Sequence, residues 1–221
     1  DLIAGLVITN WTREATGWRG APGDRATPPD AMEAIYQAMM LGLRDYVNKN
    51  RFPGVLLGLS GGIDSALTAA VAVDALGPER VRCVMMPYIY TAQESLDDAA
   101  ECAKLLGVRY DIVSIKPAVE SFREMLAPLF VGRAPDITEE NMQSRARGLL
   151  LMALSNKFGE MVLTTGNKSE VSVGYATLYG DMCGGYNALK DIYKMTVFAL
   201  SRWRNQHLPA GALGPAGLVI P

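Results

Sequence analysis

One short segment, in which an apolar run passes through two glycines into a helix-forming stretch, limits how this chain can fold more than any other. Val55-Leu56-Leu57 precedes Ser60-Gly61-Gly62-Ile63-Asp64-Ser65, and Ala66 begins an alanine-rich continuation. This order predicts a buried strand, a glycine turn and the start of a helix, where backbone N–H groups converge on an anion. We therefore predict a nucleotide-phosphate loop at this turn. The alternative is an ordinary strand-to-helix turn capped by Ser60.

The side chains of the turn favour phosphate binding. Gly61 and Gly62 allow the backbone to approach phosphate oxygens closely, and the Ser60 and Ser65 hydroxyls can donate further hydrogen bonds. Asp64 places a carboxylate beside the phosphates, where it could hold a divalent cation. The Walker-type loop is excluded, because no Lys-Ser or Lys-Thr pair follows the second glycine.

Short apolar runs alternate with helical segments along most of the chain. The predicted strands are 55–59, 81–86, 109–114 and 160–165. The predicted helices run from Met32 to about Asn50, over 64–76, from about 92, and over 117–130, 138–158 and 190–204. This alternation predicts an α/β fold with a parallel sheet and helices on both faces. Ligands of such sheets bind at the carboxyl ends of the strands, where the loops after 59 and 165 lie.

One helix start carries its own signal. Thr91 is followed three residues later by Glu94. This spacing predicts a capping box at the start of the helix from about 92, with Thr91 as the N-cap residue.

Charge and cysteine content exclude several classes of partner. The net charge of −2 gives no basis for binding a nucleic acid or a membrane surface through bulk electrostatics. Cys83, Cys102 and Cys183 are too few and too scattered for a disulfide framework or a zinc site, which predicts a cytoplasmic protein. The apolar run from Leu2 to Ile8 is too short to span a bilayer.

The two ends of the chain predict that it is part of something longer. Residues 9–30 are rich in Arg, Gly, Pro and Thr and lack periodicity, so we expect 1–30 to form an N-terminal arm or linker. We expect 31–221 to form the main domain. That domain is predicted to be incomplete at its C-terminal end, because the sequence stops within a pattern at Pro221.

A second informative block follows the last predicted strand. Leu163-Thr164-Thr165-Gly166-Asn167-Lys168-Ser169-Glu170 continues without periodicity to Asp181, and long structureless loops in compact domains are usually functional. Glu170 would supply a second carboxylate near the phosphates and complement Asp64 as a metal ligand. The alternative for Glu170 alone is a solvated surface acid.

Together with further blocks, these segments closely resemble the NAD synthetase family. The blocks that carry the resemblance are Ser60–Ser65, Thr138–Arg145, Leu163–Glu170, Tyr175–Asp181 and Lys190–Lys194. The resemblance implies a doubly wound parallel sheet of the adenine nucleotide alpha hydrolase-like, ATP-pyrophosphatase type, and an obligate homodimer. It also implies amidation of deamido-NAD (nicotinic acid adenine dinucleotide) to NAD. In the implied reaction the nicotinate carboxylate attacks the α-phosphate of ATP, pyrophosphate leaves, and ammonia displaces AMP from the acyl adenylate.

The resemblance assigns roles at matching positions. Asp64, Glu170 and Lys194 are the implied catalytic residues; the two acids would bind Mg²⁺, and the lysine would stabilise the phosphates. The implied ATP-binding residues are Gly58, Leu59, Ser60, Gly61, Gly62, Ile63, Asp64, Ser65, Gln93, Thr165 and Lys194. The implied deamido-NAD-binding residues are Asn141, Arg145, Glu170, Tyr175, Ala176, Thr177 and Leu178. Without this context, Arg145 and Lys194 are typical surface residues.

The source of nitrogen is the point at which the family divides. The ammonia-only branch has a lysine where this chain has Leu178, and the segments 166–170, 175–181 and 202–205 look like the glutamine-dependent branch. In that branch an amidase domain precedes the synthetase domain and supplies ammonia from glutamine. Residues 1–30 cannot hold such a domain, so we expect the parent protein to carry it. The family's later Lys-Pro-Pro-Ser segment, with one ATP contact, is also absent here.

Other readings remain open. One is an ammonia-dependent NAD synthetase, and another is a different adenylating pyrophosphatase-loop enzyme, such as a GMP-synthetase-like amidotransferase or a tRNA-thiolating enzyme. The thiolating reaction needs a reactive cysteine, and Cys183 is the one cysteine in a predicted loop. A third class is a nucleotide-binding module without turnover. The combination of Asp64, Glu170 and Lys194 argues against it, because nucleotide binding alone does not need two metal-binding carboxylates.

Overall fold

A five-stranded parallel sheet forms the centre of the protein. The computed structural model describes residues 8–23 and 29–221. Along the chain, the strands of this sheet are β3 (Val55–Gly58), β4 (Val81–Met85), β5 (Arg109–Ile112), β6 (Met161–Thr164) and β7 (Tyr186–Asn187). They lie side by side in the order β5-β4-β3-β6-β7, and neighbouring strands are parallel. Since the chain moves outward from β3 in both directions, the sheet is doubly wound, as predicted.

Helices cover both faces of the sheet. They are α1 (Ala31–Lys49), α2 (Ile63–Leu76), α3 (Gln93–Leu106), α4 (Lys116–Leu126), α5 (Ile137–Phe158), α6 (Lys168–Val173) and α7 (Lys194–Gln206). Short 3-10 turns occupy Pro78–Arg80 and Ala127–Leu129. In the part of the chain that the structure describes, none of the helices is long and apolar enough to cross a membrane.

Alternate side chains of β3 divide the core into two layers. Val55 and Leu57 pack on one face with α1, α2, α3 and α7. Leu56 points to the other face, where it packs with residues of α4 and α5 such as Val119 and Leu151. Full burial of one such leucine stabilises the fold by roughly 1.5–3 kcal/mol. Both faces of β3 are therefore dry, which explains why its sequence is continuously apolar.

The helix ends follow from local chemistry. The Asp30 carboxylate accepts hydrogen bonds from the Met32 and Glu33 amides at 2.8 and 3.1 Å, so Asp30 caps α1. Asp136 and Glu139 form a capping box at the start of α5. At the other end, Gly159 ends α5 in the left-handed conformation that suits glycine.

Three predicted features differ from the structure. Thr91 does not cap α3: its hydroxyl accepts from the Tyr88 amide at 3.0 Å, and α3 begins after Ala92 without a side-chain cap. The last helix begins at Lys194 rather than at 190. The stretch after β6 is not structureless, because it contains α6.

The predicted arm contains regular structure that its sequence pattern does not predict. Its described part, 8–23, contains an exposed antiparallel hairpin of β1 (Trp11–Glu14) and β2 (Gly17–Gly20). The remaining arm positions, 1–7 and 24–28, lie outside the described residues.

A buried ion pair fastens α7 to α2. The Arg204 guanidinium and the Asp74 carboxylate are both fully buried and form two hydrogen bonds, at 2.5 and 2.8 Å. The Tyr36 hydroxyl of α1 donates to the same carboxylate at 2.6 Å. Arg204 also donates to the Pro215 carbonyl, which ties the segment after α7 to this cluster. Three helices of one layer are thereby held to a single carboxylate.

Candidate active site

A cavity of about 460 Å³ opens at the carboxyl ends of the neighbouring strands β3 and β6. The loop after each strand contributes to its walls, as expected for a doubly wound sheet. The predicted site residues that border it are Ser60, Gly62, Asp64, Ser65, Thr165, Glu170, Tyr175 and Ala176. Asp64 and Glu170, which are far apart in the sequence, therefore share one cleft.

Hydrogen bonds of Ser60 and Ser65 fix the conformation of the loop between β3 and α2. The Ser65 hydroxyl donates to the Gly62 carbonyl at 2.8 Å and accepts from the Ser60 amide at 3.2 Å. Gly61 has φ +83°, and a Cβ there would lie 2.8 Å from the Ser95 Cα, so the position needs glycine. Ser60 is not the cap of α2: Gly62 is the N-cap residue, and no side chain occupies the first amides of the helix. Those amides remain available to an anion.

The Asp64 carboxylate is held by two donors from distant parts of the chain. Its Oδ1 accepts from the Asn167 side-chain amide at 2.9 Å, and its Oδ2 accepts from the Lys194 ammonium. The Asp64 side chain is 15% exposed and that of Lys194 is 38% exposed. A carboxylate has about four acceptor positions, so two hydrogen bonds leave capacity for a further ligand.

Glu170 is not a freely solvated surface acid. Its side chain accepts from the Asn167 backbone amide at 3.0 Å, while the Glu170 amide donates to the Asn167 side chain at 3.1 Å. The two residues form the capping box of α6, and Glu170 also borders the cavity. The short helix thus directs its acidic residue toward the cleft.

Lys194 is positioned by the contact between α7 and α6. The Lys194 amide donates to the Ser169 hydroxyl at 3.1 Å. Lys168 precedes Ser169 in α6 and forms an ion pair of 2.6 Å with Asp191. The hydrogen bond of this pair raises the pKa of Lys168. Lys168 is thus paired with Asp191, and Lys194 is the lysine that donates to Asp64.

The predicted dinucleotide residues of α5 contact the loop after α6. Asn141 accepts from the Thr177 hydroxyl at 3.0 Å, and Arg145 donates to the Leu178 carbonyl at 3.2 Å. None of these four residues borders the cavity, whereas Tyr175 and Ala176 of the same loop do. The helix therefore holds the loop that forms one wall of the cleft.

The other predicted ATP residues lie around the cavity rather than along it. Gly58 is the last residue of β3, and Gln93 at the start of α3 is exposed and donates to Asp97 at 2.8 Å. A neighbouring cavity of about 100 Å³ is bordered by three further predicted residues, Leu59, Gly61 and Ile63. The structure does not bring Gln93 to the main cavity.

Sequence reasoning missed two asparagines that organise the site. Asn167 is fully buried and contacts both acidic residues. Asn187 of β7 donates to the Gly166 carbonyl at 2.9 Å and fixes the turn before α6. One feature of the sequence could have identified them. Asn167 follows the apolar run of β6 and Asn187 lies between apolar residues, and burial of an amide side chain without a hydrogen-bond partner costs free energy.

The thiols give little support to sulfur chemistry. Burial raises the pKa of the Cys102 thiol to about 12 and raises that of Cys83 above its ordinary value, so both stay protonated. Cys183 is partly buried and is not among the residues that border the cavity.

A doubly wound parallel sheet with a Ser-Gly-Gly-x-Asp-Ser loop at its switch point defines the class of ATP-pyrophosphatase-loop proteins. Within this class, the family model for NAD synthase matches residues 35–213, and the chain belongs to that family.

Individual relatives agree with the family. The glutamine-dependent NAD(+) synthetase of Rhodobacter capsulatus is 57% identical over 216 residues, which are 98% of this chain and 39% of that protein. The structure of glutamine-dependent NAD+ synthetase from Acinetobacter baumannii in complex with adenosine diphosphate has a TM-score of 0.85 and 52% identity, covering 96% of this chain and 39% of that one. An NH3-dependent NAD synthetase from Campylobacter jejuni in complex with the nitrate ion has a TM-score of 0.72 and 32% identity, covering 81% and 76%. This chain spans 39% of the length of the first two relatives.

Proposed function

We propose that this chain is the synthetase part of a glutamine-dependent NAD synthetase. It would amidate deamido-NAD to NAD through an acyl adenylate, release AMP and pyrophosphate, and use ammonia from an amidase domain outside this chain. The observation that carries the proposal is the meeting of Asp64, Glu170 and the phosphate loop at one cavity. The names of the relatives, glutamine-dependent NAD(+) synthetases, support NAD as the product and glutamine as the nitrogen source.

The difficulty of the reaction lies in its leaving groups. A carboxylate is a poor acyl donor, because its oxygen is a poor leaving group. Transfer of AMP to that oxygen converts it into a good leaving group. In the first step the nicotinate carboxylate oxygen bonds to the α-phosphorus while the bond to the pyrophosphate oxygen breaks. In the second step ammonia attacks the acyl carbon, loses a proton and expels AMP. Both steps depend on positioning and charge stabilisation more than on a protein nucleophile.

The residues of the cleft match these needs. The first amides of α2, which lack a side-chain cap, and the Ser60 and Ser65 hydroxyls can hold phosphate oxygens. Lys194 carries a positive charge at the same place and would stabilise the charge that builds up on the departing pyrophosphate. Thr165 borders the cavity at the end of β6 and would contact ATP there.

Asp64 and Glu170 fit a magnesium ion that arrives with the nucleotide. Among residues 8–23 and 29–221, no group of three His, Cys, Asp or Glu side chains could hold a metal ion. Two carboxylates alone suit Mg²⁺, which usually takes one or two protein carboxylates and completes its shell with phosphates and waters. When bound, the ion would neutralise charge on the phosphates.

The dinucleotide would lie along the loop that α5 supports. Tyr175 and Ala176 border the cavity, and Asn141 and Arg145 hold the next part of the loop. Tyr175 is 72% exposed and offers an aromatic face to a ring of the ligand. Asn141 and Arg145 would bind the ligand by exchanging their present loop contacts for ligand contacts.

We further propose a homodimer through the outer face of α5. Leu149 is 64% exposed and Met152 is 37% exposed on this helix, and Leu178 and Tyr179 add apolar surface on the neighbouring loop. Apolar surface of this kind is typical of protein interfaces. Tyr175 and Ala176, in the same loop as Leu178 and Tyr179, border the cavity, so a second copy on this face would lie near the cleft. Cys83, Cys102 and Cys183 form no disulfide bonds, which supports the proposal of a cytoplasmic location.

A product assay on the full-length parent protein tests the function. Supplied with deamido-NAD, ATP, Mg²⁺ and either glutamine or ammonium, it should form NAD, AMP and pyrophosphate in equal amounts. Formation of ADP and phosphate, or turnover without deamido-NAD, would overturn the proposal. Turnover with ammonium but not with glutamine would favour the ammonia-dependent alternative, represented among the relatives by the Campylobacter protein.

A further inference from the structure

We propose that Asn167 is a positioning residue that orients Asp64 and Glu170 as a pair toward the nucleotide-bound metal ion. The inference rests on the proposed function and adds a residue to which the family resemblance gives no role. Asn167 lies 103 positions after Asp64, at the start of α6, and is fully buried.

A single asparagine contacts both carboxylates. Its side-chain Nδ2 donates to Asp64 Oδ1 at 2.9 Å. Its backbone amide donates to Glu170 Oε2 at 3.0 Å, and its Oδ1 accepts from the Glu170 amide at 3.1 Å. The side chain therefore uses both a donor and an acceptor, and one residue connects the two acidic side chains through hydrogen bonds.

Helix capping alone does not require asparagine here. Asp, Ser and Thr accept the same backbone hydrogen bond at an N-cap about as well. None of them can both cap α6 and donate to Asp64 from this distance, because Ser and Thr are shorter and an ionised Asp has no donor. The amide donor is thus the property that distinguishes Asn167 from an ordinary cap.

The direction of the contact has a consequence for metal binding. With Oδ1 held by Asn167 and Oδ2 held by Lys194, the plane of the Asp64 carboxylate is fixed from both sides. The remaining lone pairs of the Asp64 carboxylate then have a fixed direction, which favours binding of a metal ion that is already coordinated by the phosphates. Groups that orient metal ligands in this way typically contribute 10–100-fold to metal affinity.

The test is a double-mutant cycle on the full-length parent protein, with Mn²⁺ as the probe. Binding of Mn²⁺ in the presence of ATP is followed by electron paramagnetic resonance for the unmodified chain, Asn167→Ser, Asp64→Ala and the double variant. Serine keeps the cap and loses the donor. We expect Asn167→Ser to weaken Mn²⁺ binding about tenfold in the unmodified chain and to have no further effect in the Asp64→Ala background.

A matched control separates capping from positioning. Asp136 caps α5 in a second capping box, and Asp136→Ser makes the same kind of change away from the cavity. It should leave Mn²⁺ binding unchanged. Asn167→Thr is made in parallel, because its methyl group fills part of the vacated space; circular dichroism identifies the variants that fold.

Several outcomes would overturn the inference. Equal Mn²⁺ affinity in Asn167→Ser and the unmodified chain would do so while the proposed function stands. The same loss in both Asp64 backgrounds would assign Asn167 a purely structural role, as would failure of both Asn167 variants to fold. If the unmodified chain shows no ATP-dependent Mn²⁺ binding, the metal role of the proposed function falls with it.

Discussion

Lys194 donates a hydrogen bond to the Asp64 carboxylate from 130 positions further along the chain, so the first turns of α7 and α2 meet at the cleft. The ammonium neutralises the acid that is proposed to bind Mg²⁺. A metal ion bound to Asp64 would therefore compete with the lysine for the carboxylate charge, and bound phosphates would supply further negative charge to both cations.

Replacing this lysine should separate metal binding from catalysis. In Lys194→Met, Asp64 loses its cation, so Mn²⁺ should bind more tightly in the absence of ATP, while adenylate formation should fall. Electron paramagnetic resonance gives the first quantity, and AMP release by the parent protein gives the second. Weaker Mn²⁺ binding without ATP would contradict the expected competition.

Asp64→Asn should abolish adenylate formation and leave the fold intact. The amide keeps the volume of the carboxylate but lacks the charge that a divalent cation needs. Pyrophosphate release by the parent protein measures the loss, and circular dichroism checks the fold. Asp45→Asn is the matched control, because Asp45 is also paired with a lysine, Lys49, but lies on α1 away from the cavity; this variant should keep full activity. An active Asp64→Asn enzyme would show that the carboxylate does not hold the metal.

Gly61→Ala should damage the phosphate loop more than an ordinary glycine substitution at positive φ. Gly107 has φ +69° with open space around its Cβ position, so Gly107→Ala should cost about 1 kcal/mol of unfolding free energy. At Gly61 the added methyl group also meets the Ser95 backbone, which raises the expected cost to roughly 2–4 kcal/mol. Denaturant unfolding measures both, and ATP binding should weaken only for Gly61→Ala. Equal costs would mean that the Ser95 contact relaxes freely.

The buried cluster around Asp74 should dominate the stability of the α1–α2–α7 layer. Arg204→Met leaves a buried carboxylate without its cation and should cost roughly 3–5 kcal/mol. Tyr36→Phe removes one hydrogen bond and should cost about 1 kcal/mol at neutral pH. Urea unfolding curves of the two variants test the order, and a larger loss for Tyr36→Phe would contradict it.

The same cluster predicts a pH dependence. Burial, together with the Asp74 carboxylate, raises the pKa of the Tyr36 hydroxyl well above its ordinary value. The unfolded tyrosine releases its proton above about pH 10, while the folded one keeps it, so this contribution to stability declines as pH rises from there. The stability difference between the unmodified chain and Tyr36→Phe should shrink above that pH. A constant difference would mean that Tyr36 does not titrate differently in the two states.

The proposed dimer can be tested at the outer face of α5. Leu149→Arg places a charge in the apolar stripe and should shift the protein to monomers in light scattering. Leu208, after α7 in the other helical layer, is 50% exposed, and Leu208→Arg should leave the oligomeric state unchanged. A monomeric unmodified chain would remove the proposal.

The strands and most helices could be predicted because a buried strand or helix face appears in the sequence as a run or a periodic pattern of apolar residues. Leu56 and Val162 belong to short apolar runs between turns, and those runs are β3 and β6. The two-residue strand β7 and the exposed hairpin leave no such record, because neither has a buried periodic face. The Thr91 cap was wrong, since the hydroxyl is used by a turn instead.

Motifs in the sequence predict the separate parts of the candidate site but not the contacts that connect them. The loop at Ser60 and the acid Glu170 could be identified from motifs, and the strand order explains why they meet. Asn167 and Arg204 act through partners more than a hundred positions away, and no local pattern encodes such a pairing. The sequence therefore predicts residues that belong to local motifs, but not residues whose role depends on a tertiary contact.

The separation in sequence between Asp64, Asn167 and Lys194 affects the order of events during translation. The phosphate loop and its helix leave the ribosome long before the third of these residues is synthesised. A nascent chain that lacks α7 therefore presents the Asp64 carboxylate without its Lys194 partner. If the proposed function holds, the cleft would become complete only after α7 has docked.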